Sequence, residues 1–316
     1  MTEILRPRAF APAEDDGGLG RLAGLVEASA GDREVTVTEL EGLTLFRALG
    51  PCIPMNCVYE PCIALILQGS KTIVFGDQEV ACGEGAFFAT AIDVPTSAQI
   101  TLASPDRPYL SLVLKLDLAV VNEILQALPG EDEVAPADPR GIVFGAADPE
   151  LVEAFVRLVC LLDRPKDIAV MSGLIQREIC YRLLQGEAGA WLRRMVGAGY
   201  RADGTVKALD WLKRNYAQPL EIDALASLSG MARSTLHHKF RNLTGTSPLQ
   251  YQKCLRLYAA RTMMAIDHAD ASTAAIAVGY ESVSQFNREY TRMFGISPGR
   301  DLRARRGRSE GAVSSL

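Results

Sequence analysis

A chain of 316 residues, 48 % of them hydrophobic, is long enough to bury two separate cores, so two domains are expected. The net charge of −5 excludes a uniformly basic coat for nucleic acid, yet residues 203–316 hold 16 Lys and Arg against 10 Asp and Glu, a net +6, which leaves −11 on residues 1–202. Seven cysteines without paired spacing fit reduced thiols; no apolar run reaches the roughly 18 residues of a membrane span, and the acidic start at Glu14-Asp15-Asp16 is no signal peptide, so a cytoplasmic chain with no membrane partner is expected.

Residues 1–33 read as a tail rich in Pro, Ala, Gly and acid, mobile to about residue 20, followed by a short helix over Leu19 to Ala30. From Glu34 the texture changes to short β-prone runs: Glu34 to Leu40, Leu43 to Leu49, Cys62 to Gln68, Lys71 to Phe75, Gln78 to Cys82, Ala86 to Ala91, Ser97 to Leu102 and Tyr109 to Lys115. Gly69-Ser70, Gly76-Asp77 and Gly83-Glu84-Gly85 supply turns between them. Short strands at this spacing predict a small antiparallel barrel or jelly roll.

The period becomes helical after Asp117, predicting helices over Ala119 to Leu128, Pro149 to Leu162 and Asp167 to Leu184, with a loop over Pro129 to Pro139. Asp148 and Pro149 form an N-cap with a first-turn proline, and Gly186 stops the last helix. The pair from Asp148 to Leu184 carries more apolar residues than one small barrel would cover. A homodimer interface is expected on part of it, with packing onto the chain's own barrel as the alternative. Five glycines between 186 and 204 place the connection between domains near Gly197 to Gly204, giving a first domain over 34–200 and a second over 201–308, with a disordered end at 309–316.

Within the second domain one stretch is written twice. Ala226 and Gly230 recur 49 positions on as Ala275 and Gly279; Leu236, Phe240, Gly245, Ser247 and Pro248 are answered 50 positions on by Phe286, Tyr290, Gly295, Ser297 and Pro298. A small residue allows close helix packing, a glycine four residues later permits the positive φ that turns the chain, and apolar residues four apart give the next helix its buried stripe. That is the pattern of a helix-turn-helix. Thr205 to Tyr216 is expected as the leading helix. Ser247-Pro248 should start a joining helix to about Ile266, roughly 27 Å long at 1.5 Å per residue. Such a helix could set two second helices roughly 34 Å apart, one turn of DNA.

These residues resemble the AraC/XylS transcription regulators over roughly 205 to 306, most closely in Ala275-x3-Gly279-Tyr280-x-Ser282-x-Ser284-x-Phe286-x-Arg288-x-Tyr290 and on through Phe294-Gly295-Ile296-Ser297-Pro298. A second resemblance, over roughly 35 to 130, is to the cupin-like N-terminal domain of one branch of that family. It is carried by Tyr59-Glu60-Pro61, Leu67-Gln68-Gly69-Ser70-Lys71, Gly76-Asp77, Gly83-Glu84-Gly85, Asp93-Val94-Pro95 and Ser104-Pro105-x-Arg107-Pro108-Tyr109. The resemblance implies an α+β chain with an N-terminal cupin-like antiparallel β-barrel, a helical dimerisation extension and a C-terminal all-α domain of two helix-turn-helix units. It implies a regulator, more an activator than a repressor, with double-stranded DNA and RNA polymerase as partners and an unknown small-molecule or electrophile effector.

Ser234, Thr235, His237, His238 and Arg241 in the first copy, and Ser284, Gln285, Asn287 and Arg288 in the second, lie between the apolar positions and are of types that bond base edges and phosphates. A merely solvated face is the alternative for each. The basic end, Arg300, Arg303, Arg305, Arg306 and Arg308, could add phosphate contacts or simply solubilise the chain. Cys57, Cys62 and Tyr59 are candidates for effector or redox sensing; free cysteine is more often a small buried hydrophobe, and a sensing thiol must be accessible and of low pKa. The histidines, His237, His238 and His268, all fall outside the barrel region, so neither a metallo-cupin enzyme nor a Cys-His nucleophile is expected, and no metal or cofactor. A ligand-independent architectural DNA binder remains as an alternative.

Overall fold

The computed structural model describes residues 17–128, 140–197, 203–267 and 269–303. The N-terminal tail up to residue 16, the loop expected over 129–139, His268 and the basic end beyond Arg303 lie outside the described residues. The chain divides into two compact units, Met1–Arg201 with Asn242–Gly245, and the remainder. Among the described residues no helix is long and apolar enough to cross a membrane.

The first unit is built on two antiparallel sheets. Strands β1 (Val35–Val37), β2 (Leu43–Ala48), β3 (Met55–Tyr59), β4 (Cys62–Gln68), β5 (Ser70–Phe75), β6 (Gln78–Cys82), β7 (Ala86–Thr90), β8 (Val94–Leu102), β9 (Tyr109–Lys115) and β10 (Ile142–Ala146) pair in the orders β1-β2-β9-β4-β7-β10 and β3-β8-β5-β6. Tyr59 of β3 meets Phe88 of β7 edge-on at 4.7 Å between ring centroids, so the sheets face one another there. Helix α1 (Gly18–Ala30) packs on β2, β4 and β9 from the other side. Covered on both faces, β4 is buried from Cys62 to Leu67, which is why it reads as one continuous apolar run instead of alternating.

Two strands and one helix were not expected from sequence. Strand β3 lies among Pro51, Pro54 and Pro61, exposed at Met55 and Asn56 and half-buried from Cys57 to Tyr59, so neither composition nor alternation marks it. Strand β10 contains Gly145, where an added Cβ would lie 2.7 Å from Phe87; glycine here allows close packing, not a turn. The expected strand at Ser97 begins instead at Val94 and includes Pro95. Neighbour β5 pairs only from Ser97 on, so the missing N–H breaks no bond in that ladder.

Helices α2 (Leu118–Ala127), α3 (Pro149–Val159), a 3-10 turn at Cys160–Asp163, and α4 (Pro165–Gln185) form the expected extension. Asp148 caps α3, accepting from the Leu151 N–H at 2.7 Å. The glycine-rich stretch after Gly186 then holds a further helix, α5 (Gly189–Val196), whose Trp191, Leu192, Met195 and Val196 are buried. At Gly189 an added Cβ would lie 2.2 Å from the Leu184 carbonyl oxygen, so this glycine serves helix packing.

In the second unit α6 (Gly204–Arg214), α7 (Ile222–Leu228) and α8 (Arg233–Thr244) form one trio, and α9 (Pro248–Ile266), α10 (Ala271–Ala277) and α11 (Val283–Phe294) the other. The repeat in sequence is a repeat in bonding. Gly230 donates to Ser227 and Met231 to Ala226, both at 3.0 Å; 49 positions on, Gly279 donates to Ile276 and Tyr280 to Ala275, again at 3.0 Å. Both glycines have positive φ, +64° and +89°, as a turn closing a helix requires.

Candidate nucleic-acid interface

Each copy presents its second helix with the stripe side inward. Leu236 and Phe240 on α8, and Phe286 and Tyr290 on α11, are fully buried. The positions between them face out: Ser234, Thr235, His238 and Arg241 are exposed with His237 half-buried, and Ser284, Gln285, Asn287 and Arg288 are all exposed. Helix α9 supports both cores, its Tyr251 meeting Phe240 edge-on at 5.5 Å and its Leu257, Ala260 and Met264 joining the cluster around Phe286 and Tyr290.

Two residues that sequence inspection passed over organise this surface. Glu289, on α11, accepts from Gln285 at 3.1 Å, from Lys253 of α9 at 2.9 Å and from the Tyr280 hydroxyl at 2.8 Å. Burial pushes its carboxyl up, but the bonds from Gln285, Lys253 and Tyr280 outweigh that and hold it below the usual glutamate value. Arg256, also on α9, donates to the carbonyls of Tyr216 at 2.7 Å and Gln218 at 2.9 Å, after α6, and to Gly279 at 2.9 Å in the second copy's turn. One guanidinium thus ties the loop of one trio to the turn of the other. A clue in sequence was available for Glu289: it answers Lys239 at the repeat distance of 50, so the sign of the charge changes between copies.

Of the basic end, Arg300 and Arg303 fall in a helical segment over 298–303. Asp301 there accepts from Arg261 at 2.8 Å and from Tyr290 at 2.6 Å, fastening the segment to α9 and α11.

The sensing candidates come together inside the first unit. Cys57 and Thr96 face each other across β3 and β8 with Sγ and Oγ1 3.1 Å apart, and Cys62 Sγ lies 3.5 Å from Thr90 Oγ1. Burial raises the Cys57 thiol above its ordinary pKa and the Cys62 thiol to about 11, against the lowering influence of Thr96 or Thr90 and of Lys71. Burial likewise holds the Tyr59 hydroxyl well above the ordinary tyrosine range. These thiols are therefore protonated at neutral pH. Among the described residues no group of three or more His, Cys, Asp or Glu is arranged to hold a metal ion.

Comparison with known proteins agrees with both halves of this architecture. Residues 39–191 match the AraC-type transcriptional regulator N-terminus, and residues 225–304 match a helix-turn-helix domain. The chain belongs to the AraC/XylS family of transcriptional regulators. Among AraC/XylS relatives, it is 30 % identical over 148 residues to the transcriptional activator RhaS of Yersinia pestis, covering 46 % of this chain and 53 % of that protein. It is also 30 % identical over 215 residues to a probable thc operon regulatory protein of Rhodococcus erythropolis, covering 64 % and 63 %. The chain thus spans between about half and two thirds of the length of these relatives. Crystal structures of ToxT from Vibrio cholerae share the fold: one with a bound unsaturated fatty acid gives a TM-score of 0.57 at 12 % identity, covering 85 % of this chain and 96 % of that one.

Proposed function

We propose that this AraC/XylS-family chain is a sequence-specific DNA-binding transcription regulator, an activator, controlled by a small-molecule or stress signal at its first unit. The observation that carries the proposal is the doubled turn-and-helix element, each copy burying one stripe and exposing a polar face at the same repeat positions. Ser284, Gln285, Asn287 and Arg288 read one DNA segment, and Ser234, Thr235, His237, His238 and Arg241 a second. The AraC-type N-terminal match and the activator RhaS among the relatives support a signal-controlled activator acting through RNA polymerase in the cytoplasm. That a ToxT structure holds an unsaturated fatty acid is in keeping with a small-molecule effector here. Effector control requires only that the effector bind one arrangement of the chain better than another.

Footprinting the full chain on the promoters beside its own gene tests the proposal. Specific protection is expected, and Arg288→Ala should cost about 1–3 kcal/mol of specific binding and relax the sequence preference at one position. Unchanged protection and salt dependence in Arg288→Ala would remove α11 from the interface.

A homodimer belongs to the same proposal. Helix α4 leaves Val170, Met171, Leu174 and Tyr181 exposed, and Val170, Leu174 and Tyr181 follow a helical spacing along one face. Sedimentation should give a dimer for the full chain and a monomer for Leu174→Glu. A monomeric wild-type chain would leave that face unexplained.

A further inference from the structure

The two helix-turn-helix trios are joined twice, once along the chain and once across it. Along the chain, α9 sets Tyr251 against Phe240 of the first trio and puts Leu257, Ala260 and Met264 into the core of the second. A shared helix by itself fixes how far apart the trios lie. Their relative twist is left to side-chain packing, which tolerates small sliding and rotation of packed helices.

Across the chain, the loop after α6 meets the turn of the second copy. Arg256 donates from Nε to the Tyr216 carbonyl at 2.7 Å, from one terminal nitrogen to Gly279 at 2.9 Å, and from the other to Ala217 at 3.3 Å and Gln218 at 2.9 Å. Carbonyls from both trios thus share one planar group, and its rigid fork lets them move only together. They follow directly on the C-termini of α6 and α10, the ends at which a helix dipole favours a cation.

Further observations tie this contact to the junction. Gln252, one helical turn earlier on α9 and 2 % exposed, donates to the same Gln218 carbonyl at 2.7 Å. Tyr216 follows the leading helix of the first trio, yet it packs on the core of the second. The repeat gives Arg256 no counterpart: at the distance of 50 where Asp203 answers Lys253, Val206 stands opposite Arg256. One helix-turn-helix copy folds without such an arginine, so its place is between the copies.

We propose that Arg256 is a positioning residue for DNA reading: it locks the twist between α8 and α11, so that the chain accepts its two DNA segments at one separation only. Each base pair inserted between the segments moves the second by roughly 3.4 Å along the duplex and roughly 35° around it. A locked pair of helices cannot follow that rotation, whereas a pair joined by α9 alone follows part of it. This assignment rests on the regulator reading, in which both helices touch DNA.

The test is the affinity of the full chain for its footprinted site and for the same site lengthened or shortened by one base pair between the two protected segments. For the wild type the altered spacings should bind at least about tenfold more weakly, the scale of one mismatched base pair. Arg256→Met keeps the apolar stem and removes the fork; it should weaken the native site and shrink the spacing penalty to a few-fold. Lost stability alone would lower all three affinities in proportion. An unchanged penalty in Arg256→Met, or a wild type indifferent to spacing, therefore overturns the assignment. Should Arg256→Met fail to fold, Arg256→Lys, which keeps the charge without the fork, and Gln252→Met decide it: a partly reduced penalty is expected in each, and a full penalty in both overturns it. A second measurement needs no DNA. Nitroxides on unnatural ketone residues in place of Arg241 and Thr291, exposed and equivalent positions on α8 and α11, should give a narrow spread of distances in the wild type and a broader one with Arg256→Met. Equal widths overturn the lock. A wild type that protects no DNA loses the regulator reading, and the distances still decide the lock.

Discussion

The two helix-turn-helix copies share a backbone and differ in what holds it. In the first, Lys239 on α8 faces Asp203, the N-cap of α6, at 3.6 Å. Fifty positions on in both partners, Glu289 on α11 faces Lys253 of α9 at 2.9 Å, with the charges exchanged. The second pair is also embedded in bonds from Gln285 and Tyr280, while the first stands more open, its side chains about one third exposed. The aromatic cluster of Tyr280, Phe286, Tyr290 and Phe294 is likewise confined to the second copy. A repeat therefore preserves the positions where backbone geometry demands a residue type, and leaves the polar bracing free to change sign and strength.

The turn glycines give the largest effect by which to break this comparison. Both need positive φ, but an added Cβ at Gly279 would lie 2.0 Å from the Ala217 carbonyl oxygen, whereas at Gly230 it would meet open space. Gly230→Ala should cost about 1–2 kcal/mol for the left-handed backbone alone. Gly279→Ala adds overpacking against a backbone that Arg256 itself fastens, and should cost about 3 kcal/mol or more. Urea denaturation of the two variants checks this; equal losses would mean that the 216–218 loop moves freely away from the turn.

That difference also marks what could be seen in sequence. Gly230 and Gly279 look alike in the chain, and the turn, the stripes and the exposed helix faces were legible because each depends on residues close in sequence. The carbonyl that crowds Gly279 comes from some sixty residues earlier, so no local pattern announces it. The same holds for β3, recognisable only by its pairing with β8, and for α5, where Gly189 looks like a linker until the Leu184 carbonyl is placed against it. At the candidate DNA face sequence identified the outward positions, but not that Gln285 is held by Glu289. In the first unit it grouped Cys57, Tyr59 and Cys62, and missed that Lys71 lies beside them.

Charge reversal sharpens the comparison at intermediate size. Glu289→Lys sets an ammonium against Lys253 and strips Tyr280 and Gln285 of their acceptor, for an expected loss of about 2–3 kcal/mol. Lys239→Glu opposes Asp203 across a longer, more exposed pair and should cost about 1 kcal/mol or less. Adding Lys253→Asp to Glu289→Lys should recover part of the first loss, since it recreates the first copy's polarity in the second. Absence of any recovery in a double-mutant cycle would show that the hydrogen bonds, not the charges, carry the second brace.

The smallest effect is a dependence on pH that belongs to one copy. Glu289 is held below its ordinary value in the folded chain, so folding favours its ionised form. Its contribution is then fully present above the unfolded glutamate value of 4.5 and is lost as pH falls through the lower, folded one. The difference in unfolding free energy between the wild type and Glu289→Gln should be flat near neutrality and shrink below that point. Asp203 and Asp270 are also held below their ordinary values, Asp203 by bonds from Thr205 and Lys239 that outweigh its burial, and Asp270 by backbone bonds. Both titrate in wild type and variant alike, so they cancel in the difference. A difference that stays constant into acid would mean that Lys253 and Tyr280, donating to the carbonyl oxygen that remains, hold the protonated carboxyl as firmly as the carboxylate, and that the charge adds nothing to this brace.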